Sequence, residues 1–319
     1  MTKIINEKIR FEPLSKENIS SVHRMCKESV RGVSQTLKIF KFATIEDNRF
    51  DPNFTIVALN KSNEVIAFFM VVFRNSLFMK KRRKVAVLKF FVVHKEWRLK
   101  GLGSKIFSIL SDKIMGSEQK CFFMKFEVMT SMPNYWYPGL NPELTEAYFF
   151  LKKHGFKKGD ERVNLCLDLG DLGENPPIRS VGNYEISRAS PEDRKELLRL
   201  KFMPRRYRWL FWSDEINLSF KKDPITTFVA KDKSTNEIIG WASHSIQFPG
   251  SFGPTGVSKK ARGQGLGTIL LYWCLWDIKS QYQLKNAKIL WVVGDTIYFY
   301  LKSIGARICE FYWEMKKRI

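Results

Sequence analysis

The sequence predicts an α+β chain built as two tandem domains. Three observations carry that expectation: a strand-turn-strand pattern that occurs twice, a glycine-punctuated turn that follows each copy and opens a helix, and a helix- and strand-breaking segment between the copies. A length of 319 residues also suits two domains at roughly 150 residues each.

In the first half, Phe54-Thr55-Ile56-Val57-Ala58-Leu59 leads through Lys61-Ser62-Asn63-Glu64 into Val65-Ile66-Ala67-Phe68-Phe69. In the second, Thr227-Phe228-Val229-Ala230 leads through Ser234-Thr235-Asn236-Glu237 into Ile238-Ile239-Gly240-Trp241. Both read as β-hairpins. A further strand then runs into Arg98-Leu99-Lys100-Gly101-Leu102-Gly103 or into Arg262-Gly263-Gln264-Gly265-Leu266-Gly267. After these turns Ile106, Ile109, Leu110 and Ile114, and later Ile269, Leu270, Trp273, Leu275 and Trp276, recur at helical spacing. Gly170-Asp171-Leu172-Gly173-Glu174-Asn175-Pro176-Pro177 separates the copies. The expected division is an N-terminal domain of 1–169, a linker of 170–182 and a C-terminal domain of 183–319. Ser15-Lys16-Glu17 and Ser190-Pro191-Glu192 mark a capped first helix in each half.

With 44% apolar and 27% charged residues, the chain is globular rather than disordered or collagen-like. The net charge of +22, with clusters at 80–84, 205–208 and 316–318, suits an anionic partner such as nucleic acid, an acidic membrane face or a phosphorylated cofactor, or reflects a lysine-rich composition with no partner. Cys26, Cys121, Cys166, Cys274 and Cys309 are odd in number and scattered, which indicates neither a disulfide framework nor a zinc site and fits a reducing, cytoplasmic setting. No metal is expected. No run approaches the ~18 apolar residues of a membrane span, and Lys89 interrupts the longest, Val85 to Val93, so membrane insertion is not expected.

A strand that enters Arg-x-x-Gly-x-Gly and then a helix makes a pyrophosphate cradle. The glycines admit close backbone approach, successive N–H groups face one concavity, and the helix dipole adds attraction. With Leu88 to Gly103 in the first half and Gly253 to Gly267 in the second, the chain resembles the GNAT superfamily of acyl-CoA-dependent N-acyltransferases, twice over. It is similar to prokaryotic proteins with tandem GNAT domains. The resemblance implies a mixed sheet whose fourth and fifth strands splay apart, with pantetheine along the free edge of the fourth strand and the thioester in the gap. It places Phe91, Val93, Arg98, Leu99, Lys100, Gly101, Leu102, Gly103 and Ser104 at one acetyl-CoA site. Thr255, Val257, Arg262, Gly263, Gln264, Gly265, Leu266, Gly267 and Thr268 fall at the other. The activity it implies is N-acetyl transfer from acetyl-CoA to a primary amine of a small molecule or peptide, by direct attack in a ternary complex. The other class of function is a non-catalytic acyl-CoA-binding or nucleic-acid-associated module.

Two proton transfers need side chains. The resemblance places the thiolate's acid, a Tyr, four residues before the Gly of a Tyr-x-x-x-Gly-Phe ending. Leu151 holds that position in the first half; in the second, Tyr300 stands one residue early, at Tyr300-Leu301-Lys302-Ser303-Ile304-Gly305. Tyr300 serves only if the turn before Gly305 holds an extra residue, and otherwise is core. By that comparison the C-terminal half is the better-equipped catalyst. Glu127 and Asp295, in or just after the fifth strands, are the candidate bases or solvated strand-end carboxylates. His94 and His244 are weaker candidates. Two aromatic stretches stand out: Asn134 to Leu140, as an acceptor wall or an interdomain surface, and Arg205 to Trp212, with interleaved rings and cations.

Overall fold

The structure, a computed structural model, describes residues 8–30, 35–75, 84–117, 123–199 and 212–318. It divides into two compact units, Met1–Asp160 with Tyr312–Ile319, and Glu161–Phe311.

In the first unit, β1 (Arg10–Glu12), β2 (Thr55–Leu59), β3 (Val65–Asn75), β4 (Lys84–Val93) and β5 (Phe123–Val128) lie in that order. All neighbours are antiparallel except β4 and β5, which are parallel. Helices α1 (Ile19–Ser29) and α2 (Leu37–Ala43) cover one face, packing Val22, Met25 and Phe40 on Val57, Phe68, Val85 and Val87. On the other face α3 (Leu102–Gly116) and α4 (Thr145–Lys153) pack Ile106, Leu110 and Leu151 on Ile56, Phe69, Ala86 and Leu88. Burial on both faces is why β4 reads as a nearly unbroken apolar run rather than an alternating one. The β2-β3 turn closes through Asn60, whose side-chain oxygen accepts from the N–H groups of Ser62 and Glu64.

The second unit repeats this plan. It uses β6 (Lys157–Asp168), β7 (Ser180–Val181), β8 (Tyr184–Arg188), α5 (Asp193–Arg199), α6 (Trp212–Ser219), β9 (Thr227–Asp232), β10 (Ile238–His244), β11 (Ser251–Val257), α7 (Leu266–Tyr282), β12 (Asn286–Val292), α8 (Thr296–Ile304) and β13 (Arg307–Arg318). Its sheet runs β7-β8-β9-β10-β11-β12-β6, and among the described residues its parallel pair is again the one after the hairpin run, β11 with β12, the other neighbours being antiparallel. The β9-β10 turn closes through Asp232, which accepts from Ser234 and Thr235 as Asn60 does in the first copy.

The units do not divide at 170–182, where the linear reading placed the linker. Most of β6 belongs to the second unit, where Ala287 pairs with Leu167 and Ile289 with Leu165. The end of β13 belongs to the first, where Lys316 pairs with Glu127 and Lys317 with Phe126. Each closing strand is thus supplied by the other half of the sequence. Its apolar residues, Val163, Leu165 and Leu167 in β6 and Met315 in β13, are buried in the core they join.

The cysteine reading is also corrected. Cys166 on β6 and Cys309 on β13 form a disulfide across a separation of 143 residues. Strands brought side by side by this topology place two thiols together that sequence spacing keeps far apart.

Glu215 on α6 is buried, and burial pushes its carboxyl up to about 8, with Gln247 donating to it at 3.4 Å. An unfolded chain releases this proton near the ordinary value of 4.5. Stability is therefore unaffected below that pH and falls as pH rises between about 4.5 and 8. Glu215→Gln is expected to leave melting at pH 4 unchanged and to raise Tm at pH 8.5 by roughly 2–8 °C. An equal shift at both pH values in thermal denaturation would contradict the assignment.

Candidate active site

Parallel pairing of β4 with β5 stops at Leu88, opposite Val128, with one further bond from the Met129 N–H to the Leu88 carbonyl at 3.0 Å. Beyond it, Lys89 to Val93 have no partner from β5, so the two strands part. The His94 N–H bonds back to Ile66 on the β3 side at 2.8 Å. Main-chain direction alternates along a strand, so Val93 and Phe91 turn their amide groups toward the gap. The second unit matches this: β11 and β12 pair only at Ser251 and Phe252, and the Ser258 N–H bonds to Ile239 at 2.7 Å, turning Val257 and Thr255 to the gap.

Each gap leads to a glycine turn. Gly101 and Gly265 precede α3 and α7 in the left-handed region, at φ 88° and 78°, where a Cβ is costly. The position two residues earlier is also left-handed in both copies: Gly263 in one, and in the other Leu99, at φ 59° and 88% exposed. The first N–H groups of each helix lack an intrahelical acceptor and face the turn. Arg98 donates from Nε to the Val93 carbonyl at 3.1 Å, and Arg262 from Nε to the Val257 carbonyl at 3.3 Å. The motif arginine thus ties the turn to the end of its strand in both copies, a bracing role that residue spacing did not reveal. Arg98 also donates to the Ser29 carbonyl and faces Glu146 at 3.6 Å. The hydroxyl of Ser104 meets His154 Nε2 at 3.1 Å, and that of Thr268 meets Ser303 at 3.2 Å.

A cavity of about 540 Å³ lies in the first unit and joins these parts. Phe91, Val93, Arg98, Leu99, Gly101, Gly103 and Ser104 line it at the cradle and gap, and Cys26, Val30, Lys89, Trp136 and Tyr137 line it toward α1. Lys100 and Leu102 complete the turn outside the lining; Leu102, the first residue of α3, is buried, and Lys100 is exposed with its ammonium over Trp97. Trp136 packs edge-on against Phe40 and Phe90, at ring distances of 5.3 and 5.6 Å. Trp136 and Tyr137 of the aromatic segment thus form part of the cavity wall. Arg205, Arg206, Arg208 and Trp209 of the second aromatic stretch lie outside the described residues, and Trp212 stacks edge-on against the buried Trp241.

A Cβ on Gly103 would touch Phe150, and one on Gly267 would touch Phe299, so these rings are equivalent in the two copies. By that register Tyr300 matches Leu151, and the extra residue before Gly305 is present. Yet Tyr300 packs in the core against Phe252 and beside the buried Cys274, and burial pushes its phenol well up. Glu127 is 3% exposed, paired with Arg74 and Lys125 and bonded by the Thr130 hydroxyl at 2.7 Å. Burial by itself would raise its carboxyl, but those partners hold it down to about 2. It does not line the cavity. Asp295 is an exposed residue just before α8. His244 is buried between Asp277, at 2.9 Å, and the Ser245 hydroxyl, and burial keeps its pKa low despite Asp277.

A mixed sheet that parts beside a glycine turn at a helix N-terminus defines the acyl-CoA-dependent acyltransferase class. The sequence model of the Acetyltransferase (GNAT) family matches residues 21–127 and 188–305, and the chain belongs to that family. No curated protein matches the chain. Among solved structures, a tandem GNAT protein from the clavulanic acid biosynthesis pathway has 15% identity and a TM-score of 0.67, with 98% of each chain covered. A GCN5-related N-acetyltransferase from Sphaerobacter thermophilus has 13% identity and a TM-score of 0.69, covering 97% of this chain and 95% of its own. A fungal multi-domain protein with a glucosamine N-acetyltransferase region has 15% identity and a TM-score of 0.76; 98% of this chain spans 38% of that one. At these identities the likeness is one of fold.

Proposed function

We propose that the protein is an N-acetyltransferase whose N-terminal unit takes acetyl-CoA and transfers the acetyl group to a primary amine. The observation that carries this reading is the cavity that runs from the glycine turn at Gly101 to Gly103, along the free edge of β4, to the α1 side. The N–H groups at the start of α3 and the Arg98 guanidinium suit a pyrophosphate. Phe91 and Val93 offer amide groups to pantetheine and to a developing oxyanion. Closure of the acceptor side by Trp136, Tyr137 and Phe90 aligns amine and thioester and excludes water. The C-terminal unit retains the turn and the parting strands, and we assign it the lesser role in turnover because its phenol faces the core.

Of the basic clusters, Lys80 to Arg83 and Arg205 to Arg208 lie outside the described residues, and Lys316 pairs with Glu314 at 2.9 Å.

Titration calorimetry with acetyl-CoA, followed by release of free CoA across a panel of aliphatic, aromatic and peptide amines, tests the proposal. Binding together with amine-dependent CoA release is expected. Binding of neither acetyl-CoA nor a longer acyl-CoA would end the reading.

A further inference from the structure

Lys89 is the one charged residue between Val85 and Val93. It is 1% exposed, lines the cavity, and follows Leu88, the last β4 residue in register with β5. It therefore stands where the strands begin to part. On the other side of β4, Met70 pairs with Phe90 and Val71 with Leu88, so Lys89 is the extra residue of a β-bulge. Val85 and Val87 of β4 face α1 and α2, Lys89 continues that face, and the bulge lets Phe90 share it; there the Lys89 ammonium pairs with buried Asp47.

Resting on the acetyltransferase reading above, we propose that Lys89 is the general base that takes a proton from the acceptor's ammonium. Lys89 in its amine form accepts one proton from the acceptor; the freed nitrogen lone pair attacks the thioester carbon. As the C–N bond forms and the C–S bond breaks, the sulfur leaves with its electron pair and takes the second proton from that nitrogen. Lys89 then returns its proton to solvent. Proton count and charge balance without any other reactant.

The surroundings fit the task. Burial lowers the Lys89 ammonium to about 8, with Asp47 pulling upward and Arg49 downward. That places a useful amine fraction near neutral pH. Besides Asp47 and Arg49, the titratable groups around the cavity are Cys26 from α1, Tyr137 from the aromatic loop, and Arg98, Glu146 and Lys153 at the cradle end. Burial pushes the Cys26 thiol up, and Glu146 faces Arg98, away from the bulge. No histidine and no other carboxylate lines the cavity among the described residues.

Lys89→Arg keeps a cation beside Asp47 but cannot release its proton. It is expected to bind acetyl-CoA as the wild type does and to lose at least ~100-fold in kcat with a reactive amine of the panel. Asp47→Asn removes a carboxylate that favours the ammonium, so the acidic limb of the kcat/KM profile should move to lower pH. A second readout needs no turnover: pulse acetylation with acetic anhydride at graded pH, read peptide by peptide, should give Lys89 a titration midpoint below that of surface lysines, lower still in Asp47→Asn. Full activity and an unchanged pH profile in Lys89→Arg would overturn the proposal while leaving the acetyltransferase reading intact. So would a Lys89 that is never labelled at any pH. A wild type that turns over no amine would bring down both.

Discussion

Gly103→Glu is expected to abolish acetyl-CoA binding to the N-terminal unit, with at least ~100-fold loss in calorimetric affinity, while Gly267→Glu leaves that binding event in place. A Cβ at Gly103 would lie 3.3 Å from Phe150, 3.5 Å from Val93 and 3.7 Å from Phe69, all side-chain atoms that line the gap. A longer side chain must therefore turn outward, over the free N–H groups at the start of α3. There its carboxylate would occupy the place of the pyrophosphate and repel it, in a site whose dipole favours one anion. Backbone φ at Gly103 is not left-handed, so the change tests the cradle rather than a strained turn. Gly267 occupies the same place against Phe299 in the second unit, so Gly267→Glu is a matched control for general damage. If Gly267→Glu instead removes binding and Gly103→Glu does not, the working site is in the C-terminal unit and the cavity assignment is wrong.

Glu127→Gln is expected to cost about 3–5 kcal/mol of stability, as removal of one partner from a buried ion pair does. Arg74, itself 7% exposed, and Lys125 would lose the negative charge they face, and an amide nitrogen would replace one of the two oxygens that accept from Arg74, Lys125 and Thr130. The pH dependence follows from the lowered carboxyl. Its folded value is about 2 against an ordinary 4.5, so its contribution is complete above about 4.5 and disappears as pH falls through 2. Chemical denaturation at pH 7 and pH 2.5 should show the gap between wild type and variant shrinking at the lower pH. Turnover by the folded variant should stay near that of the wild type. A collapse of kcat in a variant that remains folded would return Glu127 to the role of base.

These two residues illustrate what a linear reading reaches. The glycine turns were legible at both Gly101 to Gly103 and Gly265 to Gly267 because their requirements are local. A left-handed turn, absent side chains and a following amphipathic helix are all written within about ten consecutive residues. The hairpins were legible for the same reason, down to Asn60 and Asp232, whose short polar side chains close the turns.

Glu127 reads as a base on position alone, since nothing nearby in sequence shows that Arg74, 53 residues away, will neutralise it. Tyr300 met its spacing condition, yet its helix turns it into the core, and only the packing of Phe299 over Gly267 fixes that rotation. Lys89 did leave a signal, as the one charge in an apolar run. Its meaning required the bulge, and Asp47 on the far side of the α2 segment, to be seen together.

By itself the sequence determined the duplication, the hairpins, the two glycine turns and hence the family, because each is a pattern of neighbouring residues acting on their own backbone. Tertiary structure alone decided which carboxylates are bound up in ion pairs, which residues line the cavity of the first unit, the Cys166–Cys309 disulfide and the exchange of closing strands. Those outcomes depend on pairings between residues tens to hundreds of positions apart. Burial and charge act through space, and the chain's linear order carries no direct record of them.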